Sequence, residues 1–155
     1  MHVIGDVHGC CDELEELLAA LGYAKGDDAL WLHPEGRLPV FLGDLVDRGP
    51  RIVDTLRAVM PLVEHEKAIC VPGNHDMKLM RKLRGKNVQI THGLDRTLAE
   101  LDKETPEFVK TVEEFIYKRV SHYVLDDGKL VVAHAGMSAE MQGRGSAKVR
   151  EFALY

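Results

Sequence analysis

Short apolar runs that lead into glycine or into a polar residue recur at four points along the chain. They lie at 2–4, 40–42, 68–71 and 129–133. The first three alternate with segments of helical periodicity, and such strand–helix–strand units build a parallel sheet through right-handed crossovers. The pattern therefore predicts an α/β fold. The polar residues that follow the strands should gather at one edge of the sheet, where open α/β sheets place their ligand sites.

The helical segments are marked by apolar residues three and four positions apart. Asp12 is expected to be the N-cap of the first helix, and Pro50 to lie in the first turn of the second. Pro106 interrupts the last segment. The predicted helical segments are 14–21, 52–60, 77–83 and 93–120.

The remaining segments carry turn signals. Asp126-Asp127-Gly128 between two apolar runs predicts a β-hairpin whose second strand ends at His134. Residues 23–38 have no clear period and predict a long surface loop that includes a short strand at 30–32. Residues 143–155 predict a loop that leads into an apolar tail.

The composition limits the class of protein. A length of 155 residues, of which 45% are hydrophobic and 29% charged, fits one globular domain. No apolar run is long enough to span a membrane, and the N-terminus has no leader pattern, so we expect a cytoplasmic protein without a membrane partner. The 3 cysteines, two of them adjacent, do not form a disulfide framework, which agrees with a reducing compartment.

The charge distribution bears on nucleic-acid binding. A net charge of −5 argues against a general electrostatic grip on long nucleic acids. A local basic cluster is nevertheless present at Lys78, Arg81, Lys82, Arg84 and Lys86. The alternative to a binding role for this cluster is the solvated face of a short helix. His92, at the start of the next helical segment, is interpreted as a local cap or surface group; the alternative is a specificity residue near the site.

The segment VFLGDLVDRGP at 40–50 is the centre of the predicted site. Gly43 lets the backbone turn at the end of the strand, and Asp44, Asp47 and Arg48 follow in a loop. Two carboxylates and an arginine so placed suit a site that holds cations together with an anionic substrate. The alternative for this segment alone is an acidic turn.

The other strand ends also deliver polar side chains. Asp6 and His8 follow the first strand, Asn74 and His75 the third, and His134 the hairpin. Each has a plain structural alternative: a helix-start cap, an Asx turn or a buried histidine. Their recurrence at four strand ends favours one assembled site.

These side chains suit metal-assisted phosphate chemistry. Oxygen and imidazole donors without a thiolate favour Mn²⁺, Fe²⁺, Zn²⁺ or Mg²⁺. Two such ions about 4 Å apart can neutralise phosphate oxygens and activate the attacking water. Arg48 would clamp the phosphate, and His75, oriented by Asp47, would protonate the leaving oxygen.

Four motifs carry a resemblance to a known family: GDVHG, GDLVDRG, GNHD and HAG. They are similar to those of the calcineurin-like metallophosphoesterases, in the subgroup related to serine/threonine protein phosphatases. The resemblance implies βαβ units with mixed sheets flanked by helices, and a hydrolytic centre of two divalent ions, Mn²⁺ first, with Ni²⁺, Fe²⁺, Zn²⁺ or Mg²⁺ as alternatives. It implies that Asp6, His8 and Asp44 hold one ion, that Asp44, Asn74 and His134 hold the other, that Asp47 and His75 form the acid pair, and that Arg48 binds the phosphate.

Passages outside the motifs resemble the phosphatase module of bacterial polynucleotide kinase-phosphatases: VPGNHDMKLMRKLRGK, THGLDRTLAEL and MQGRGSAKVREFALY. This narrower resemblance implies hydrolysis of phosphate monoesters and 2′,3′-cyclic phosphates at RNA 3′ ends. The expected partners are RNA ends or nucleotide phosphoesters, and further domains of a larger repair polypeptide.

Two departures from the family pattern concern the second ion. The family has a further histidine late in the chain, and none follows His134; its second sheet would need strands beyond Tyr155. We therefore expect residues 1–155 to be a metallophosphoesterase domain truncated at the C-terminus, with a helical insertion at about 93–120. The second ion should then bind substoichiometrically.

Other functions share the same core motifs. A dinucleoside tetraphosphate hydrolase and a serine/threonine protein phosphatase are the alternatives among enzymes. A degenerate metal-binding interaction module is the alternative of another class, and it would account for the missing last histidine. Substrate preference separates the enzymes from one another.

Overall fold

Short strands alternate with longer helices in the computed structural model, which describes residues 1–154. The strands are β1 (His2–Ile4), β2 (Ala24–Lys25), β3 (Trp31–Leu32), β4 (Pro39–Phe41), β5 (Ile69–Cys70), β6 (His122–Leu125) and β7 (Leu130–Ala133). The helices are α1 (Cys11–Ala20), α2 (Ile52–Glu64), α3 (Asn74–Leu83), α4 (Leu94–Leu101), α5 (Pro106–Lys118) and α6 (Ala147–Phe152). Two 3₁₀ turns lie at Asp126–Gly128 and Ala139–Met141.

The predicted parallel sheet is confirmed, with strand order β1-β4-β5. Side chains of β4 alternate between its two faces, as strand geometry requires. Phe41 joins the main core, to which α1 and α2 contribute Leu18 and Leu56. Val40 points to the opposite face. The sheet is therefore buried on both sides at its central strand, which explains why β4 is uniformly apolar.

The predicted hairpin is also confirmed, since β6 and β7 pair antiparallel. Val132 of β7 packs with Val40 and Val71 in a second, smaller core. The hairpin therefore covers the face of the parallel sheet that lies opposite the helices. This packing brings the end of β7, and with it His134, to the sheet edge where the first three loops emerge.

The predicted starts of α1 and α2 are wrong. The N-cap of α1 is Cys10, without a side-chain cap, and Asp12 pairs with Arg51 instead. Pro50 precedes the N-cap of α2 and lies outside the helix. The first two amides of α2 donate to the Glu100 carboxylate at 3.2 and 2.8 Å. This cap comes from 47 and 48 residues away, so no local signal marks it.

Two segments contain more regular structure than expected. Residues 23–38 include the antiparallel pair β2 and β3, of which β3 lies within the strand expected at 30–32 and β2 was not expected. The supposed apolar tail forms α6, whose N-cap Ser146 accepts from the Val149 amide, and Ala153 and Leu154 are buried. The Ala135 amide donates to the Ala153 carbonyl at 2.8 Å, which ties this end of the chain to the segment after His134. Tyr155 lies outside the described residues.

The helical stretch expected at about 93–120 consists of α4 and α5, separated before Pro106. Its interpretation as an insertion, and that of residues 1–155 as one incomplete domain, stay predictions. All three cysteines are free thiols. Within residues 1–154, no helix has the length and apolar character needed to cross a membrane.

Candidate active site

One buried carboxylate lies at the centre of the site. Asp44 is 3% exposed, and its Oδ2 lies 3.7 Å from His8 Nε2, 4.0 Å from His75 Nε2 and 3.7 Å from His134 Nε2. These distances are too long for direct hydrogen bonds. Three imidazoles from three separate loops thus surround one carboxylate oxygen and leave space between the donor atoms.

His8 shows that the donor set fits a metal ion. Its Nδ1 is 2.8 Å from the Val46 carbonyl, which assigns the proton to Nδ1 and the lone pair to Nε2. That Nε2 is buried and has no hydrogen-bond partner, yet it lies 3.8 Å from an Asp6 oxygen and 3.7 Å from Asp44. A buried ring nitrogen without a partner, aimed between two carboxylates, fits a cation between them.

A second cluster shares Asp44 with the first. His134 Nδ1 lies 2.7 Å from the Leu42 carbonyl, and its Nε2 lies 3.0 Å from Asn74 Oδ1. Asp6 Oδ1 lies 3.9 Å from the same ring. Possible ligand atoms of Asp6, Asp44 and His134 all lie within 4.8 Å of one another. All five predicted metal ligands are therefore brought together, around the carboxylate that was expected to bridge the two ions.

His75 lies between the candidate metal ligands and the exposed Arg48. With His8 and Asp44 it forms a further group of possible ligand atoms within 4.8 Å of one another. Its Nδ1 is 2.6 Å from Asp47 Oδ2, and its Nε2 is 3.3 Å from Arg48 Nη2. Asp47 is completely buried, whereas Arg48 is exposed. The Asp47 carboxylate thus orients the imidazole through Nδ1, and Nε2 faces the exposed Arg48, where an anionic substrate can enter.

The start of α3 explains how Asn74 and His75 are placed. The helix begins at Asn74, three residues earlier than predicted, so both side chains lie in its first turn. Asp76 fixes this turn: its Oδ1 accepts from the Leu45 amide and its Oδ2 from the Gly73 amide, both at 2.9 Å. Burial raises the pKa of Asp76 to about 7, and the charge of nearby Asp44 adds to the rise, whereas the amide donors oppose it.

Glycine is required where these two loops meet. A Cβ on Gly73 would collide with the backbone nitrogen and the carboxylate of Asp44. The close approach also lets the His75 amide donate to Asp44 Oδ1 at 2.9 Å. The orientation of the central carboxylate therefore depends on a missing side chain in the neighbouring loop.

The loops of the site also contain strained backbone. Four non-glycine site residues have positive φ angles: His8 at 48°, Asp44 at 49°, Asp47 at 72° and Arg48 at 63°. Such left-handed conformations are sparsely populated for residues with a Cβ, and each costs on the order of 1–3 kcal/mol. Strain of this kind clusters at functional sites, because the fold must aim a side chain where relaxed backbone would not.

Sequence reasoning missed the support that α4 gives to this site. Thr97, which is completely buried, donates from its hydroxyl to Asp47 Oδ1 at 2.5 Å and accepts from the Asp47 amide at 3.0 Å. Arg96 Nη1 donates to the Arg48 carbonyl at 2.8 Å. Glu100, whose carboxylate accepts from the first two amides of α2, lies on the same face of α4 as these two residues. The only sequence signal is this spacing of polar residues, which a solvated helix shows as well.

We expect Thr97→Val to lower kcat about 10-fold, because the loss of one hydrogen bond to a charged group costs about 1.5–3 kcal/mol and frees the Asp47 carboxylate to rotate. KM and metal affinity should stay unchanged, since Thr97 touches neither the substrate side nor the ligand cluster. Steady-state kinetics and metal titration measure these effects. Thr97→Ser, which retains the hydroxyl, is the matched control and should keep wild-type kcat; equal losses in both variants would contradict the positioning role.

By its fold, the chain falls in the class of metallophosphoesterases. A family model described as calcineurin-like phosphoesterase matches residues 2–153. The chain belongs to this family. The family resemblance inferred from the four motifs is thereby confirmed.

Similar proteins narrow the comparison. The bis(5′-nucleosyl)-tetraphosphatase PrpE [asymmetrical] of Anoxybacillus flavithermus is 45% identical over 157 residues, which cover 99% of this chain and 64% of that protein. The protein of the same name from Bacillus subtilis is 42% identical with the same coverage. A crystal structure described as that of a candidate diadenosine tetraphosphatase aligns with a TM-score of 0.59 at 29% identity, over 87% of this chain and 49% of the other. The chain thus spans 64% of the length of these curated relatives.

These relatives overturn the prediction of an RNA-end repair phosphatase. Proteins 40–45% identical over essentially the whole chain carry the tetraphosphatase name, and the resemblance to polynucleotide kinase-phosphatase is not supported. The metal-site motifs do not separate the two functions because they act on the phosphate alone. The basic cluster does not separate them either, since RNA ends and nucleotide polyphosphates are both polyanions.

Proposed function

We propose that this chain carries the hydrolytic site of a dinucleoside tetraphosphate hydrolase, which splits the four-phosphate chain asymmetrically into a nucleoside monophosphate and a nucleoside triphosphate. The observation that carries the proposal is the cluster of three imidazoles within 4.0 Å of one oxygen of Asp44, with Arg48 beside His75. The names of the relatives supply the substrate class.

Two divalent ions are proposed as cofactors. Asp6, His8 and Asp44 would hold one, and Asp44, Asn74 and His134 the other. The bound ions would supply activation of the attacking water and neutralisation of phosphate oxygens. Mn²⁺ is proposed first, because carboxylate and amide oxygens are half or more of each ligand set and suit Mn²⁺, while imidazole adds affinity for Fe²⁺, Ni²⁺ and Zn²⁺. Weak occupancy of the second position stays a prediction.

The remaining side chains would handle the substrate. Arg48 is exposed and carries a planar guanidinium that can bind two phosphate oxygens at once. His75, protonated on Nε2, would donate to the leaving oxygen, while Asp47 holds Nδ1 and orients the ring. Thr97 keeps Asp47 in the rotamer that this contact requires.

Product analysis tests this function. The chain is incubated with diadenosine tetraphosphate and Mn²⁺, and the nucleotides are separated by anion exchange. We expect AMP and ATP in equal amounts, since hydrolysis of either outer phosphoanhydride bond yields one molecule of each. ADP as the sole product would contradict asymmetric cleavage. An intact dinucleotide beside rapid dephosphorylation of a phosphoserine peptide would favour a protein phosphatase instead.

A further inference from the structure

A cavity of about 370 Å³ opens directly beside the site. It begins at Asn74 and His75 and extends along α3 to the segment that precedes α4. The residues that line it are Asn74, His75, Lys78, Arg81, Asn87, Val88, Gln89, Thr91 and His92. None of them is acidic. A larger cavity of about 770 Å³ lies between the end of α5, β6 and the start of α6, and it contains none of the site residues.

The cavity is basic because of one face of α3. Lys78 and Arg81 follow His75 at intervals of three residues, so all three side chains lie on one side of the helix. Lys78 Nζ donates to the carbonyl and the hydroxyl of Thr91 at 3.0 and 2.8 Å. Neither Lys78 nor Arg81 belongs to any ion pair found within residues 1–154. Two positive charges without a counter-charge therefore border the cavity.

The rest of the basic cluster is placed differently. Arg84 pairs with Glu113 and stacks on Tyr117, 3.9 Å from the ring centroid. Lys82 and Lys86 are absent from the cavity lining. These three residues therefore lie outside the cavity, and Lys78 and Arg81 are the two cations of the cluster that line it.

His92 lies on the opposite side of the cavity from α3. Its ring centroid is 6.4 Å from that of His75, and its φ is 61°, a left-handed conformation. The side chain is exposed, and only the hydroxyl of Thr91 contacts its Nδ1. A third nitrogen donor thus faces the space between His75 and the two cations.

We propose that this cavity binds the leaving nucleoside triphosphate, which rests on the proposed function. Arg48 lies 3.3 Å from His75 Nε2 and is absent from the cavity lining, whereas Asn74 and His75 line the cavity where it adjoins the candidate metal cluster. The phosphorus under attack belongs on the Arg48 side, so the group that departs after protonation by His75 belongs in the cavity. A triphosphate carries enough negative charge to match both Lys78 and Arg81, whereas a monophosphate does not.

The cleavage step follows from this placement. Water adds through its oxygen to the outermost phosphorus, next to the bound nucleoside, and releases one proton to the solvent. The bond from that phosphorus to the first bridging oxygen breaks, and the electron pair stays on the bridging oxygen. His75 donates a proton there. One water and one dinucleoside tetraphosphate thus yield one nucleoside monophosphate and one nucleoside triphosphate.

Cleavage in H₂¹⁸O tests the direction of attack. The labelled oxygen should appear in AMP and not in ATP when products of diadenosine tetraphosphate are analysed by mass spectrometry. Label in ATP would mean that water attacks the second phosphorus and that AMP is the leaving group, which overturns the proposal.

Charge variants test the cavity itself. Lys78→Gln and Arg81→Gln should each lower kcat/KM for diadenosine tetraphosphate about 10-fold, the effect of losing one charge-assisted hydrogen bond. Lys82→Gln removes a charge from the same helix outside the cavity and should change nothing. Turnover of p-nitrophenyl phosphate, whose leaving group carries no phosphate, should be unaffected in all three. Equal losses in the three variants, or on both substrates, would overturn the proposal.

A competition experiment separates failure of the cavity from failure of the proposed function. At fixed free Mn²⁺, inorganic tripolyphosphate should inhibit p-nitrophenyl phosphate turnover about 10-fold more strongly in the wild type than in Lys78→Gln. If the chain cleaves the dinucleotide but tripolyphosphate inhibits the wild type and Lys78→Gln equally, the proposed function stands and the triphosphate site is ruled out. A chain that shows the difference but leaves the dinucleotide intact overturns the proposed function, and with it the role in cleavage.

Discussion

Replacing Asp44 with asparagine is expected to lower hydrolysis by about 10³-fold and to weaken both metal positions together. The amide has the size of the carboxylate but lacks its charge, and Oδ2 of Asp44 is the oxygen shared by His8 and His134 at 3.7 Å each. Loss of one ligand charge therefore acts on two ions. Isothermal titration with Mn²⁺ measures the effect independently of activity, as the number of ions bound and their dissociation constants.

Asp27→Asn provides the control for this experiment. Asp27 is exposed and carries the same charge, so its loss changes the net charge equally without touching the site. Its titration curve should superimpose on that of the wild type. An Asp44→Asn variant that still binds two ions with wild-type affinity would show that the cluster around Asp44 is not the metal centre.

His75→Gln is expected to cost about 10²- to 10⁴-fold in kcat with phenyl phosphate, the usual contribution of a positioned general acid. Phenolate is a poor leaving group, with a conjugate acid pKa of about 10, as for tyrosine. The loss should be much smaller with p-nitrophenyl phosphate, because nitrophenolate departs without help from a proton. Steady-state kinetics with the two esters measure the ratio.

Metal titration and a distant histidine complete the test of His75. Mn²⁺ binding should be retained in His75→Gln if the ring acts on the leaving group, and it should weaken if the ring is a ligand of the cluster with His8 and Asp44. His65→Gln, at the C-terminal end of α2, should match the wild type with both esters. An equal loss of activity on the two esters would remove the acid role.

Most of the metal cluster can be predicted from the sequence because its signals are local. Each ligand follows a short apolar run within a few residues, and the direction of parallel strands decides that the runs deliver their ligands to one edge. His134 could be added because a hairpin turn at Asp126–Gly128 ends its strand at the right place. None of these inferences required knowledge of how distant segments contact one another.

The features that escaped prediction depend on such distant contacts. Thr97 contacts Asp47, which is 50 positions away in the sequence, and Glu100 caps amides of α2 that are 47 and 48 positions away. The start of α3 is set by Asp76, whose carboxylate joins two loops 31 residues apart. The substrate was not predicted for another reason: the phosphate-handling motifs are the same for RNA ends and for dinucleotides.

The contacts of α4 couple local unfolding of this helix to the placement of Asp47 and Arg48. Thr97 and Arg96 leave Asp47 and Arg48 when α4 opens, and Glu100 leaves the first amides of α2 at the same moment. We therefore expect the helix and the loop it supports to open as one cooperative unit, in which the amides of Asp47, Ile52 and Val53 exchange their hydrogens together. The free energy needed to open α4 sets the fraction of time in which the site is assembled.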